Sequence, residues 1–144
     1  MRLVLIAVLI NFLTAQICFA DNKVFFVAPH DGAEVTSPVK VQFGLKGMQI
    51  GPLGDLTPGK GHHHLIIDGK PIVKGEVVPA DAKHIHFGKG QTETEVKLEP
   101  GEHTLTMQFA DGAHRSYGPQ MATTIRVIVK KGSLTSKSSD PIKG

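Results

Sequence analysis

Five of the eight histidines lie on two short stretches, His62-His63-His64 and His84-Ile85-His86. Successive side chains of a β-strand point to opposite faces, so His62 and His64 share a face, and so do His84 and His86. On neighbouring strands such imidazoles stand close enough to hold one ion, and imidazole suits copper and zinc. The candidate metal ligands are therefore His62, His64, His84 and His86. Three more residues extend the set. His103 opens a strand whose Leu105, Met107 and Phe109 alternate toward a core, and His114 sits in the loop before the last strand. Met48, in a long loop, offers a thioether, a donor that favours cuprous copper and ranks copper before zinc. Imidazole binds a metal only when neutral, so affinity is expected to fall below about pH 6.5.

A second reading leaves these histidines solvated or structural. The polar strand face and the glycine-rich loops then form a metal-independent accessory surface for a glycan, a peptide or a partner protein. Tyr117 and Arg115 are its expected anchors, because Tyr and Arg recur in binding hot spots. An enzyme is the weakest reading. No carboxylate stands at a diagnostic spacing from the histidines, and the chain has no Gly-x-Ser-x-Gly elbow and no phosphate-cradling loop. No catalytic residue is assigned.

The elements that must carry these residues are strands. Apolar positions recur with period two from Val24 to Val129, interrupted by Gly and Pro, and no window keeps a helical period. The expected strands are Val24–Val27, Val39–Leu45, His62–Ile67, Lys83–Phe87, Thr92–Leu98, His103–Phe109 and Thr123–Val129. A weak extended piece runs from Ile72 to Val78, and Gly47 to Gly61 reads as a long loop. Asp68-Gly69 favours a tight turn with positive φ. Seven or so short strands at this spacing point to one all-β domain, an immunoglobulin-like two-sheet β-sandwich over residues 21–131. The Ser-, Lys- and Pro-containing residues 132–144 read as a disordered tail.

Residues 1–20 carry Arg2, an apolar run from Leu3 to Leu13 and the small-residue ending Cys18-Phe19-Ala20. That is the order of a cleaved export signal, and it implies a periplasmic or secreted protein. Asn11, Thr14 and Gln16 interrupt the run short of the roughly 20 apolar residues a membrane span needs, so no span is expected after cleavage. Cleavage removes Cys18, the single cysteine, and with it any disulfide or thiolate ligand. Without Arg2, fifteen basic residues face thirteen acidic ones. So small a bias, with no Trp and one Tyr, gives no nucleic-acid platform.

Gly61-His62-His63-His64-Leu65-Ile66-Ile67-Asp68, His84-Ile85-His86-Phe87-Gly88-Lys89-Gly90-Gln91-Thr92-Glu93 and Pro100–Asp111, with His114 and Ser116-Tyr117-Gly118-Pro119, resemble a bacterial family of short exported domains, the domain of unknown function DUF4399. The resemblance implies a small exported β domain and carries no activity. More weakly, Ala28-Pro29-His30-Asp31-Gly32-Ala33-Glu34-Val35 followed by Pro38-Val39-Lys40-Val41 is similar to the opening of periplasmic copper-resistance sandwiches. Those bind cupric copper through a histidine at the mature N-terminus, where this chain is expected to begin with Asp21.

Overall fold

The computed structural model describes residues 21–132. The expected export signal and all but the first residue of the expected tail lie outside the described residues. Among the described residues nine strands form: β1 (Lys23–Ala28), β2 (Ala33–Thr36), β3 (Val39–Lys46), β4 (Gln49–Ile50), β5 (Lys60–Ile67), β6 (His84–His86), β7 (Glu93–Val96), β8 (Gly101–Ala110) and β9 (Ala122–Lys130). One sheet has the order β1-β3-β7. The other has the order β2-β9-β8-β5-β4, with β6 paired to β5 beside β4. The chain is all-β and builds a two-sheet sandwich, as the alternation predicts.

Alternation decides what lies between the sheets. Val39, Val41 and Phe43 of β3 face Leu105, Met107 and Phe109 of β8 and Ile125, Val127 and Val129 of β9, and all nine are buried. Val24, Leu65, Phe87 and Val96 complete the layer. Truncating one such side chain to Ala costs about 2–5 kcal/mol, so this layer holds the two sheets together.

Two strands exceed the seven expected, and both are too short to show a period. β2 has four residues and pairs parallel to the end of β9, from Ala33↔Val127 to Thr36↔Lys130. Its approach is fixed by Asp31 Oδ1, which accepts Arg126 N–H at 2.7 Å. β4 has two residues inside the expected long loop, paired to Lys60 and Gly61 of β5.

The weak extended piece Ile72–Val78 adds to neither sheet. It lies across the outer face of β5 and β8, where Gln108 Oε1 accepts Ile72 N–H at 3.0 Å and Ser116 Oγ donates to Ile72 O at 2.9 Å. Backbone hydrogen bonds tie it to the loop before β9: Gly75 N–H to Ser116 O, Ser116 N–H to Glu76 O and Val78 N–H to His114 O. This strap seals a face that two-sheet packing alone would leave in water. Thr106, Gln108 and Ser116 beneath it are buried, and so are His62 and His64.

Candidate metal centre

The period-two rule divides the histidines of β5. His63, with Leu65, faces the inter-sheet core and meets Phe43 and Phe109 edge-on, with ring centres 4.8 and 5.2 Å away. His62 and His64 face outward, under the strap. Pairing then supplies the third ring, because β6 runs antiparallel to β5 with His86 opposite His64. The fourth, His114, comes from the loop that anchors the strap.

That loop is built on Asp111. Its Oδ1 accepts the N–H groups of Ala113 and Arg115 at 2.8 and 2.9 Å, and its Oδ2 accepts Arg115 Nε–H at 2.8 Å. The turn places His114 at φ 62°, a left-handed conformation that costs a non-glycine residue about 1 kcal/mol or more. It persists because Asp111 O accepts the His114 N–H while Val78 N–H donates to the His114 carbonyl. The strain is spent where it turns an imidazole toward three others.

One ring nitrogen from each of His62, His64, His86 and His114 lies within 4.8 Å of the other three. His62 Nε2 and His86 Nε2 are 3.0 Å apart. The six ring-centre separations run from 4.4 to 5.4 Å. Near-equality of all six is the signature of a tetrahedron. With metal–nitrogen bonds of about 2.0 Å and each ring centre about 1.1 Å beyond its nitrogen, a tetrahedral ion sets ring centres about 5.1 Å apart. A square-planar ion would leave two of the six pairs about 6.2 Å apart.

Three of the four rings have lowered pKa values. Burial, reinforced by the neighbouring His86 and His114 rings, holds His62 down at about pKa 4. Burial together with the rings of His62, His86 and His114 holds His64 at about 3. Burial and His114 also lower His86. Near pH 7 these rings are neutral and present lone pairs. Buried nitrogens without a hydrogen-bond partner include His62 Nδ1, both nitrogens of His64 and His114 Nε2. Buried polar atoms are normally satisfied, and a cation between these rings would satisfy several together. Protons therefore occupy the lone pairs of His62 and His64 only well below the ordinary imidazole range.

The remaining candidates are not in the cluster. His84 is on the same face of β6 as His86 but two residues along, opposite Ile66 rather than His64. Its Nδ1 lies 2.7 Å from Asp81 Oδ1. It lines a cavity of about 320 Å³ together with Asp81, His64, His86 and His114. His103 has both nitrogens engaged, Nδ1 with Asp68 Oδ2 and Nε2 with the Glu99 carbonyl, each at 2.9 Å. Both partners only accept, so both bonds form together when the ring is protonated, and they tie the β5 exit turn to the start of β8. Burial would lower its pKa, but Asp68 and the Glu99 carbonyl outweigh that and raise it. Met48 packs against the inter-sheet core, on the side of β5 opposite to His62 and His64. Of the two expected anchors, Tyr117 packs on the fold, its hydroxyl donating to Lys60 O at 2.6 Å and its ring stacking on Phe109, while Arg115 is exposed and paired with Asp111.

The site is thus a four-imidazole cluster on the outer face of a small β-sandwich, with His62 and His64 buried and His86 exposed, and it could hold a metal ion. Over residues 41–130, which contain all four rings, the chain matches the family described as "Domain of unknown function (DUF4399)". The chain belongs to that family. Comparison with curated proteins and with solved structures finds no match.

Proposed function

We propose that this is an exported protein that binds one transition-metal ion between His62, His64, His86 and His114 and holds it without catalysing a reaction. The observation that carries the reading is the near-equal spacing of the four rings. It favours an ion that accepts tetrahedral coordination, zinc(II) or copper(I), over square-planar copper(II). With Met48 in the core no sulfur donor singles out copper, and zinc is the first ion to test. Four protein donors leave no open position, the arrangement of a holding site rather than a catalytic one. The export half of the reading rests on residues 1–20 of the sequence.

The test is calorimetric titration of the mature, untagged protein with zinc(II), copper(I) and copper(II) at neutral pH, repeated on a variant with His62, His64, His86 and His114 replaced by Ala. One-to-one binding that the variant loses is the expected result, with cobalt(II) giving the intense visible bands of a tetrahedral site. Binding no tighter than micromolar, or binding that the variant keeps, would return the protein to the metal-independent accessory class.

A further inference from the structure

His86 is the most exposed of the four rings, and two cavities reach it. One, of about 310 Å³, is lined by Leu53, Gly88, Lys89 and Gln91 with His86. The other is the cavity of about 320 Å³ shared by Asp81, His84, His64, His86 and His114. A cation approaching by the first passes the Lys89 ammonium, whereas the second begins at a carboxylate and an imidazole. Coulomb interaction selects the second route.

The Asp81–His84 pair has the build of a metal ligand and its orienting partner. A carboxylate only accepts, so in the neutral ring Nδ1 carries the proton and Nε2 carries the lone pair. A carboxylate on the far nitrogen fixes the tautomer and raises the basicity of the ligating one. Asp81 is itself held, because its Oδ1 also accepts the Lys83 N–H at 2.8 Å. Its side chain is 54% exposed and that of His84 16%, so the pair faces both the solvent and the cavity. Alternate residues of one strand lie about 6.8 Å apart, which puts His84 one short step from His86 on the same face.

We infer that His84, oriented by Asp81, is a capture ligand: it takes an ion from solvent and passes it through the shared cavity to the cluster, without belonging to the final coordination sphere. The inference rests on the metal-binding reading above. Ligand exchange at each step swaps water or one imidazole for another, with no change of oxidation state. Because such a ligand lies on the path and not at its end, removing it must slow binding and release equally.

Stopped-flow mixing of zinc(II) with the mature protein, and removal of bound zinc by excess chelator, measure the two rates. In His84→Ala both are expected to fall about tenfold, with the equilibrium Kd kept within about twofold. Asp81→Asn, which leaves the imidazole in place but unoriented, shows the same pattern at smaller amplitude, and Lys89→Ala does not slow binding. A weakened Kd with an unchanged on-rate would make His84 a ligand of the final site and overturn the inference, as would unchanged rates. Failure of the unmodified protein to bind zinc, copper(I) or cobalt(II) at all would instead remove the metal-binding reading and this inference with it.

Discussion

His62 Nε2 and His86 Nε2, 24 positions apart in the chain, lie 3.0 Å from one another on adjacent strands. At that distance one nitrogen must carry the proton and the other the lone pair, and each ring has a choice that the other constrains. With His64 and His114 packed against the same two rings, the four cannot all find hydrogen-bond partners among themselves. A metal ion between the rings would resolve the conflict by accepting four lone pairs at once.

Gly88 makes the His86 position possible. A Cβ at residue 88 would lie 2.7 Å from His86 Nε2 and closer still to Cε1. The ring is a mobile side-chain end, so in Gly88→Ala it swings away and the fold tolerates the change. Metal affinity is expected to fall about 10–100-fold, the loss typical of a misplaced ligand, while the melting temperature of the metal-free protein stays near that of the parent. Calorimetry and a thermal melt on the same sample separate the two quantities.

His63 is a different case, a polar ring in the inter-sheet core with neither nitrogen bonded. Such a group costs about 1–3 kcal/mol. Replacing it by Leu, a side chain of similar volume, is expected to stabilise the protein by roughly that amount in urea unfolding and to leave metal binding unchanged. Destabilisation would mean that the His63 nitrogens are satisfied in solution.

Acid should weaken the metal-free fold before its carboxylates protonate. His62 and His63 sit at about pKa 4 and His64 at about 3, against the ordinary 6.5; for His63 the cause is burial, with the His62 ring adding to it. The folded state keeps these rings neutral while the unfolded chain protonates them below 6.5. Stability is therefore full above 6.5 and is lost as the pH falls toward 4. Near pH 5, unfolding takes up about three protons through these residues, a number that urea midpoints measured between pH 7 and pH 4.5 report directly.

His103 has the opposite sign. Its folded pKa is raised, so its contribution is complete below 6.5 and fades as the pH rises through the folded value. His103→Gln is expected to destabilise by about 1–2 kcal/mol at pH 6, by less at pH 9, and to leave metal affinity unaltered at both. A loss of metal affinity would place His103 in the centre after all.

Much of this protein was legible in the residue order. Period-two alternation in Val39–Leu45, His103–Phe109 and Thr123–Val129 prescribes both the strands and the faces they bury, because a pleated backbone sends neighbours to opposite sides. The same parity pairs His62 with His64 and turns His63 to the core. Asp68-Gly69 marks its turn, where Asp68 takes φ 53°. β2 and β4 were not legible, since two to four residues held by cross-chain hydrogen bonds leave no period to read.

The membership of the cluster needed the tertiary structure. His84 and His86 are equivalent by parity, and only the register of β6 against β5 sets His86 beside His64 and His84 beside Ile66. His103 and His114 are both lone histidines near strand ends. What separates them is that Asp68 and Glu99 capture one ring while the Asp111 turn delivers the other. The strap 72–78 carries no pattern of its own, yet it converts an outer strand face into a sealed one, and so turns two surface imidazoles into neutral, buried donors. Sequence by itself determined which residue types could share a face, because that follows from local backbone geometry. Which of them converge on one point was decided by pairings between residues far apart in the chain, and those belong to the folded structure alone.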